Sequence, residues 1–373
     1  MLAVAALSAR MLVEAAALDG LRTVALDLFG DADTQRLAAR WRAIGEPATM
    51  RVDDRRLLGA LRELAGAGEV RGWIAGSGFE GRPELLARGA AMLPLIGTAP
   101  SDWQRIRDPH EFFAVLRAYG IGFPAVAFEP PAVTAGWLSK DAGGCGGWQV
   151  RRASPNDRGG AGRYWQRERR GLPMSATFVG TGRDAVLLGV NRQLTRLVGG
   201  RPFVFCGVIG PLPVSDALRR DLTSIVQLLA GAFQVRGLAS LDFLLDGDTV
   251  EVLELNPRPP ASLLLYPRVG ARGPLGAHLL ACEQGELPPA PAQEGKVRGT
   301  EIVFATQAVQ IGEARASRIA GIEGTRDLPR AGTQCAAGDP LCSLVAEGRD
   351  EDDTRRQLAH RREALQAALE TTT

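Results

Sequence analysis

Residues 238–260 read LASLDFLLDGDTVEVLELNPRPP. Two alternating apolar runs flank Asp246-Gly247-Asp248, the pattern of a β-hairpin. Side chains alternate faces along a strand, so Val250, Val252, Glu254 and Asn256 are expected on one face of the second strand. Closing the hairpin brings Asp242 beside Glu254. Two carboxylates and an amide oxygen then converge, a hard-oxygen set suited to Mg²⁺ (or Mn²⁺) and to the phosphates such an ion carries. Arg258 lies in the rigid exit Asn-Pro-Arg-Pro-Pro, within reach of a phosphate held there. A single Asp beside a turn would read as an ordinary solvated residue. The polar break in the strand at Glu254 and Asn256 argues for a metal site instead.

Upstream, residues 137–148 read WLSKDAGGCGGW. Lys140 precedes the glycines Gly143, Gly144, Gly146 and Gly147, and a further strand is expected over 148–150. Glycines let backbone N–H groups close over phosphate oxygens, and a Lys supplies a point charge. No GKS or GKT follows, so this is not a Walker loop. A glycine run alone reads more readily as a mobile hairpin tip. Lys140 adds weight, because the 44 basic residues are Arg apart from Lys140 and Lys296. Residues 164–175, YWQRERRGLPMS, read as a strand end, a polar segment and a strand restarting over 176–179. That layout can present backbone donors and acceptors to an adenine edge, although by itself it is a charged linker.

The flanks set the architecture. Strand signals at 2–7, 23–28 and 70–75 alternate with helical spacing at 10–18, 34–44 and 55–67, which predicts an open parallel α/β sheet with Gly76–Glu80 as a loop at a strand's carboxyl end. No GxGxxG follows the first strand, so no dinucleotide site is expected. Residues 98–125 read as a connector with one helix from Asp108 through Leu116, stopped at Gly120. From 125 to 290 the signals are short strands with one helix over 216–233. A β-rich tail (299–305, 329–345) and a helix over 354–369 close the chain.

The whole-chain arithmetic narrows the class. With 373 residues, 45% hydrophobic and 23% charged, the chain can bury two or three cores and is neither a disordered tail nor a disulfide miniprotein. A net charge of +2 lacks the basic excess of a dedicated nucleic-acid binder. No apolar run approaches the roughly 20 residues of a membrane span, and MLAVAALSAR lacks the basic start of a signal peptide, so a cytoplasmic protein is expected. The five cysteines show no metal or redox spacing. Free thiols are the favoured reading, with a Cys335–Cys342 disulfide as the alternative. His110, His278 and His360 are mutually distant and form no metal triad, and His360 reads as solvated.

Taken in order, the Lys–glycine loop, the hinge segment and Asp…Glu-x-Asn resemble the ATP-grasp superfamily over roughly residues 100–300. The pieces Ser8-Ala9-Arg10, Leu26-Asp27-Leu28-Phe29-Gly30-Asp31, Gly78-Phe79-Glu80-Gly81-Arg82-Pro83 and Asn256-Pro257-Arg258 are similar to ATP-grasp proteins encoded with one-carbon cofactor genes of methylotrophic bacteria, a group associated with tetrahydromethanopterin or methylofuran synthesis. The resemblance implies an α/β (α+β) ATP-grasp fold in three parts. These are an amino-terminal α/β domain over 1–98, an ATP-grasp domain over 99–296 with its lid about 125–180, and a β-rich carboxyl-terminal subdomain with a terminal helix over 297–373.

The resemblance also implies roles. Lys140 touches nucleotide phosphates, and Gly143, Gly144, Gly146 and Gly147 form the lid. Gln166, Arg167 and the backbone just after them meet adenine, and Arg107 (or Arg105) stands in for an upstream nucleotide-binding Lys. Asp242, Glu254 and Asn256 hold Mg²⁺, and Arg258 steadies the transferred phosphoryl group or the acyl intermediate. The implied activity is an ATP-dependent carboxylate–amine ligase working through an acyl phosphate, with small-molecule substrates and neither nucleic-acid nor membrane partners. A homodimer is common for this architecture. Two departures stand out: Ser240 occupies a position where an Arg is common, and no acid lies near Pro173 to grip the ribose. They support one alternative, a non-catalytic nucleotide- or partner-binding protein; a carboxylase-like or kinase-like enzyme using the same nucleotide site is the other.

Overall fold

The computed structural model describes residues 1–160, 162–291 and 295–370. The amino-terminal part is a four-stranded parallel sheet in the order Arg40–Ala43, Thr23–Asp27, Leu2–Ala5, Trp73–Ala75. Every residue of Leu2–Ala5 and Thr23–Asp27 is buried, as an all-parallel sheet covered on both faces requires. Alternation divides the first strand. Ala3 and Ala5 join a core with Leu57, Leu61 and Trp73, whereas Leu2 and Val4 face a second core with Leu12, Val179, Leu188 and Leu238. The first domain therefore shares a core with the next.

The helix expected over 34–44 is corrected. A short helix, Ala32–Leu37, ends there, and Arg40–Ala43 becomes the edge strand, paired in parallel with Thr23–Asp27. Only one side of an edge strand is paired, and its residues are mostly exposed, so no apolar alternation marks it in the sequence. Helix Pro100–Arg107 occupies part of the stretch read as a connector, just ahead of helix Pro109–Ala118.

The centre of the molecule is an eight-stranded antiparallel sheet. Its order is Thr249–Asn256, Arg236–Asp246, Leu172–Thr181, Ala185–Val198, Arg201–Leu212, Val297–Phe304, Pro340–Gly348, Thr325–Arg326. The tail strands after 297 thus extend this sheet rather than forming one of their own. One face packs on helix Asp216–Ala232 through Leu222, Val226 and Leu229, together with Phe178, Leu241 and Phe243. The other packs on helix Pro274–Glu283, which the sequence pattern did not reveal. His278 of that helix is buried. Its Nδ1 accepts from the Leu238 N–H at 2.9 Å, and its Nε2 donates to the Ile96 carbonyl at 3.1 Å. Asp19 of the first domain caps the same helix, accepting from the Gly273 and Gly276 N–H groups at 2.7 Å each. Helix Glu351–Glu370 covers the tail strands.

A separate four-stranded sheet, ordered Val126–Ala127, Arg163–Arg167, Trp137–Asp141, Arg151–Arg152, lies beside the hairpin over the stretch expected to form the lid. Leu172–Thr181 already belongs to the large sheet. The strand expected over 148–150 is corrected to a turn, with the short strand following at Arg151–Arg152. Gly146 and Gly147 adopt φ of +60° and +72°, and the Gly146 carbonyl accepts from Phe205 N–H at 2.9 Å, which folds the loop onto the large sheet. All five cysteines are free. Among the described residues no helix is long and apolar enough to cross a membrane.

Candidate active site

The hairpin forms as its sequence predicts, Arg236–Asp246 against Thr249–Asn256, but its register contains one irregularity. Asp242 faces Glu254 while Phe243 faces Val252, leaving Leu253 as an extra residue. This β-bulge reverses the alternation. Val250 and Val252 therefore lie with the core, and Glu254 and Asn256 turn to the opposite face with Asp242 and Ser240. The expectation that all four share one face is corrected. Without the bulge, Glu254 would point where Val252 points.

On that face the three expected oxygen-bearing side chains meet. Asn256 donates through Nδ2 to Asp242 Oδ2 at 3.2 Å and to Glu254 Oε1 at 3.1 Å. Its own Oδ1 accepts from Arg107 Nη2 at 2.6 Å, and Arg107 Nη1 lies 3.7 Å from Glu254 Oε2. Burial, and then the charge of Glu254, push the Asp242 carboxyl up to about 8. Burial also works against the Glu254 charge, but Arg107 and Lys140 outweigh it and hold that carboxyl below its usual range. Asp242 also bonds Gln193, which lies two strands away on Ala185–Val198. The pair therefore keeps one proton near neutrality, a charge state that an arriving cation would complete by displacing it. Among the described residues no group of three or more His, Cys, Asp or Glu side chains is set to hold a metal. The donor set here is two carboxylates completed by an amide, which fits the hard-oxygen preference of Mg²⁺.

Cations surround this set. Lys140 donates through Nζ to Gln166 Oε1 at 2.9 Å and lies 5.7 Å from the Tyr164 ring centre. Gln166 Nε2 and Arg107 Nε are buried without a hydrogen-bond acceptor, a cost that a ligand acceptor would remove. Arg258 donates through Nε to Glu80 Oε1 at 2.7 Å, and Glu80 Oε2 accepts from the Gly78 N–H at 2.7 Å. Glu80 raises the Arg258 guanidinium further despite its burial. Glu80 belongs to the loop after Trp73–Ala75, so the first domain's crevice opens onto this site. A cavity of ≈ 50 Å³ runs among Arg107, Lys140, the glycine loop, Phe112, Tyr164 and Leu253. That is room for a few waters, too little for a ligand of nucleotide size with the glycine loop seated as it is.

The glycine loop is seated by backbone. A Cβ on Gly81 would meet Gly143 Cα at 2.8 Å, and one on Gly147 would meet the Phe203 carbonyl oxygen at 1.9 Å. Gly144, Gly146 and Gly147 line the cavity, and Gly143 rests on the first-domain loop. Cys145, between them, is pushed up to about 12 by burial and by Glu80, so it is not a nucleophilic thiolate. Arg167 lies elsewhere: its guanidinium stacks 5.4 Å from the Trp137 ring centre, and Nη1 donates to the Ala135 carbonyl at 3.1 Å. The N–H groups of Arg167 and Glu168 are taken by the carbonyls of Ala125 and Gly136. Sequence reasoning did not name Gln193, Leu253 or Phe112 as site residues. Each reads in the sequence as an ordinary strand or helix position.

Residues 106–262 match the family model of the ATP-grasp domain. No curated protein matches the chain. Among solved structures, N5-carboxyaminoimidazole ribonucleotide synthetase from Thermus thermophilus superposes with TM-score 0.68 at 16% identity, covering 100% of this chain and 99% of that one. Biotin carboxylase from Campylobacter jejuni gives 0.72 at 13% identity, covering 98% and 94%. L-amino acid ligase from Bacillus licheniformis gives 0.69 at 13% identity, covering 97% of each chain. The likeness is one of fold: residues 106–262 match the ATP-grasp domain, and the fold these neighbours share runs along the whole chain.

Proposed function

We propose that this protein is an ATP-dependent carboxylate–amine ligase. One observation carries the reading: a bulged hairpin turns Asp242, Glu254 and Asn256 into a cleft ringed by Lys140, Arg107 and Arg258, beneath a glycine loop. Asp242, Glu254 and Asn256 would hold Mg²⁺, which when bound neutralises the charge of the β- and γ-phosphates. Lys140 and Arg107 are positioned to pair with phosphate oxygens, and Gln166 Nε2 offers a donor toward the base. The glycine loop excludes water. A substrate carboxylate oxygen attacks the γ-phosphorus, ADP leaves, and an acyl phosphate remains. An amine nitrogen then displaces phosphate, loses a proton and forms the amide. Arg258, held through Nε by Glu80, keeps its two Nη groups for the acyl or phosphoryl oxygens.

The similarity of this chain to two solved structures named as a biotin carboxylase and an L-amino acid ligase supports ligase chemistry of this kind. A role in tetrahydromethanopterin or methylofuran synthesis rests on the four sequence pieces alone. Three of them, Ser8–Arg10, Leu26–Asp31 and Gly78–Pro83, fall at the carboxyl ends of the first domain's strands, where an open parallel sheet binds ligands. The test is ADP release in the presence of amino acids and amines, with glutamate, tyrosine and tyramine included, against bicarbonate. Amine consumed in step with ADP supports the ligase, and bicarbonate-driven ADP release moves the assignment to a carboxylase. Glu254→Gln should lose ADP formation while keeping the parent's melting curve; retained turnover would reject the metal assignment.

A further inference from the structure

We propose that Arg107 competes with the divalent cation for the oxygens of Asn256 and Glu254, and releases them only when a polyphosphate gives its guanidinium another acceptor. Metal and nucleotide then enter the site together rather than in either order. The inference rests on the reading of the site given above and adds a rule of occupancy to it.

Arg107 ends helix Pro100–Arg107, and its side chain is only 9% exposed. Asn256 spends its amide N–H groups on Asp242 and Glu254, which fixes which way the amide points. The remaining oxygen, Oδ1, is the atom a metal would use, and Arg107 Nη2 sits on it at 2.6 Å. Arg107 Nη1 faces Glu254 Oε2, the carboxylate oxygen that Asn256 leaves free. A guanidinium keeps its charge at any working pH, so it cannot give way by losing a proton; it must move. A divalent ion entering beside it meets a like charge at close range.

The same geometry shows where the guanidinium would go. Its Nε is buried without an acceptor, so the present contacts leave it incompletely satisfied. It borders the cavity that also holds Lys140 and the glycine loop. A phosphate oxygen there would pair with the guanidinium and free Asn256 Oδ1 in the same movement. Coupling of this kind is reciprocal, so nucleotide should tighten metal by the factor by which metal tightens nucleotide.

The experiment is titration of the full-length protein with Mn²⁺, reading free Mn²⁺ by its electron paramagnetic resonance signal, with and without ADP. The parent should bind Mn²⁺ weakly alone and at least about tenfold tighter with ADP. Arg107→Met should bind Mn²⁺ alone at least about fivefold tighter than the parent and lose most of the ADP enhancement. Arg107→Lys should fall between. If Arg107→Met does not fold, Arg107→Gln carries the same expectation. Unchanged or weaker Mn²⁺ binding by the variant without ADP, while the parent shows ADP-dependent binding that Glu254→Gln abolishes, overturns the competition and leaves the site. No Mn²⁺ site in the parent even with ADP overturns both.

Discussion

Glu80 and Arg258 stand 178 residues apart in sequence and form one buried pair. Removing one member strands the other's charge, so Glu80→Ala should cost about 3–5 kcal/mol in a urea unfolding curve, more than Glu80→Gln, which keeps a polar partner. His278 makes a second prediction. Burial holds its imidazole down at about 4, against an unfolded value near 6.5. Between those values the unfolded chain binds the extra proton, so stability rises with pH there and is lost as pH falls from about 6.5 toward 4. The slope from this one group approaches 1.4 kcal/mol per pH unit. His278→Gln should flatten that slope in melts taken between pH 6.5 and 4.5, and an unaltered slope would contradict the assignment. The oxygen triad was legible at this scale, because its members lie within one hairpin. The counter-charges were not. Arg107 reaches Asn256 across 149 positions, and nothing in the local sequence of either announces the other.

The hairpin carries Leu253 as a bulge between its core-facing valines and its polar end. Deleting that residue would make Glu254 follow Val252 directly, an unbroken ladder that keeps Glu254 opposite Asp242 and Val252 opposite Phe243, so the variant should retain ADP-dependent Mn²⁺ binding. A bulge carries no composition signal, which is why period two assigned Val250 and Val252 to the wrong face. Helix Pro274–Glu283 escaped for a related reason: it is apolar nearly all round and shows no stripe. Strands Thr23–Asp27 and Arg236–Asp246 were readable because burial and alternation agree with their period. In the glycine loop, Gly147→Ala places a methyl against the Phe203 carbonyl at a positive φ. The tip should lift, and limited proteolysis should cut within 142–150 faster than in the parent.

Across the molecule, the first domain and the large sheet are one body of packing. Leu2, Val4 and Leu12 share a core with Val179, Leu188, Leu238 and Leu275. Ser8 and Arg10 bond Asp327 in the tail, and Asp33 accepts from the N–H groups of Asp327 and Leu328. A single calorimetric transition is therefore expected, and Leu12→Ala should lower it as a whole, by about 2–5 kcal/mol, without splitting it. Two transitions would mean that the shared core does not couple the parts. The three-part division legible in the sequence thus describes the chain's order better than its cohesion, since the contacts joining the parts are long-range. The tail strands carry one more implication. Val297–Phe304 covers the outer ladder of Arg201–Leu212 and is itself covered by Pro340–Gly348. A chain cut short near 296 would present a bare row of amides and carbonyls to its fellows, so its first failing in solution should be clumping, visible as scattered light, before any loss of chemistry.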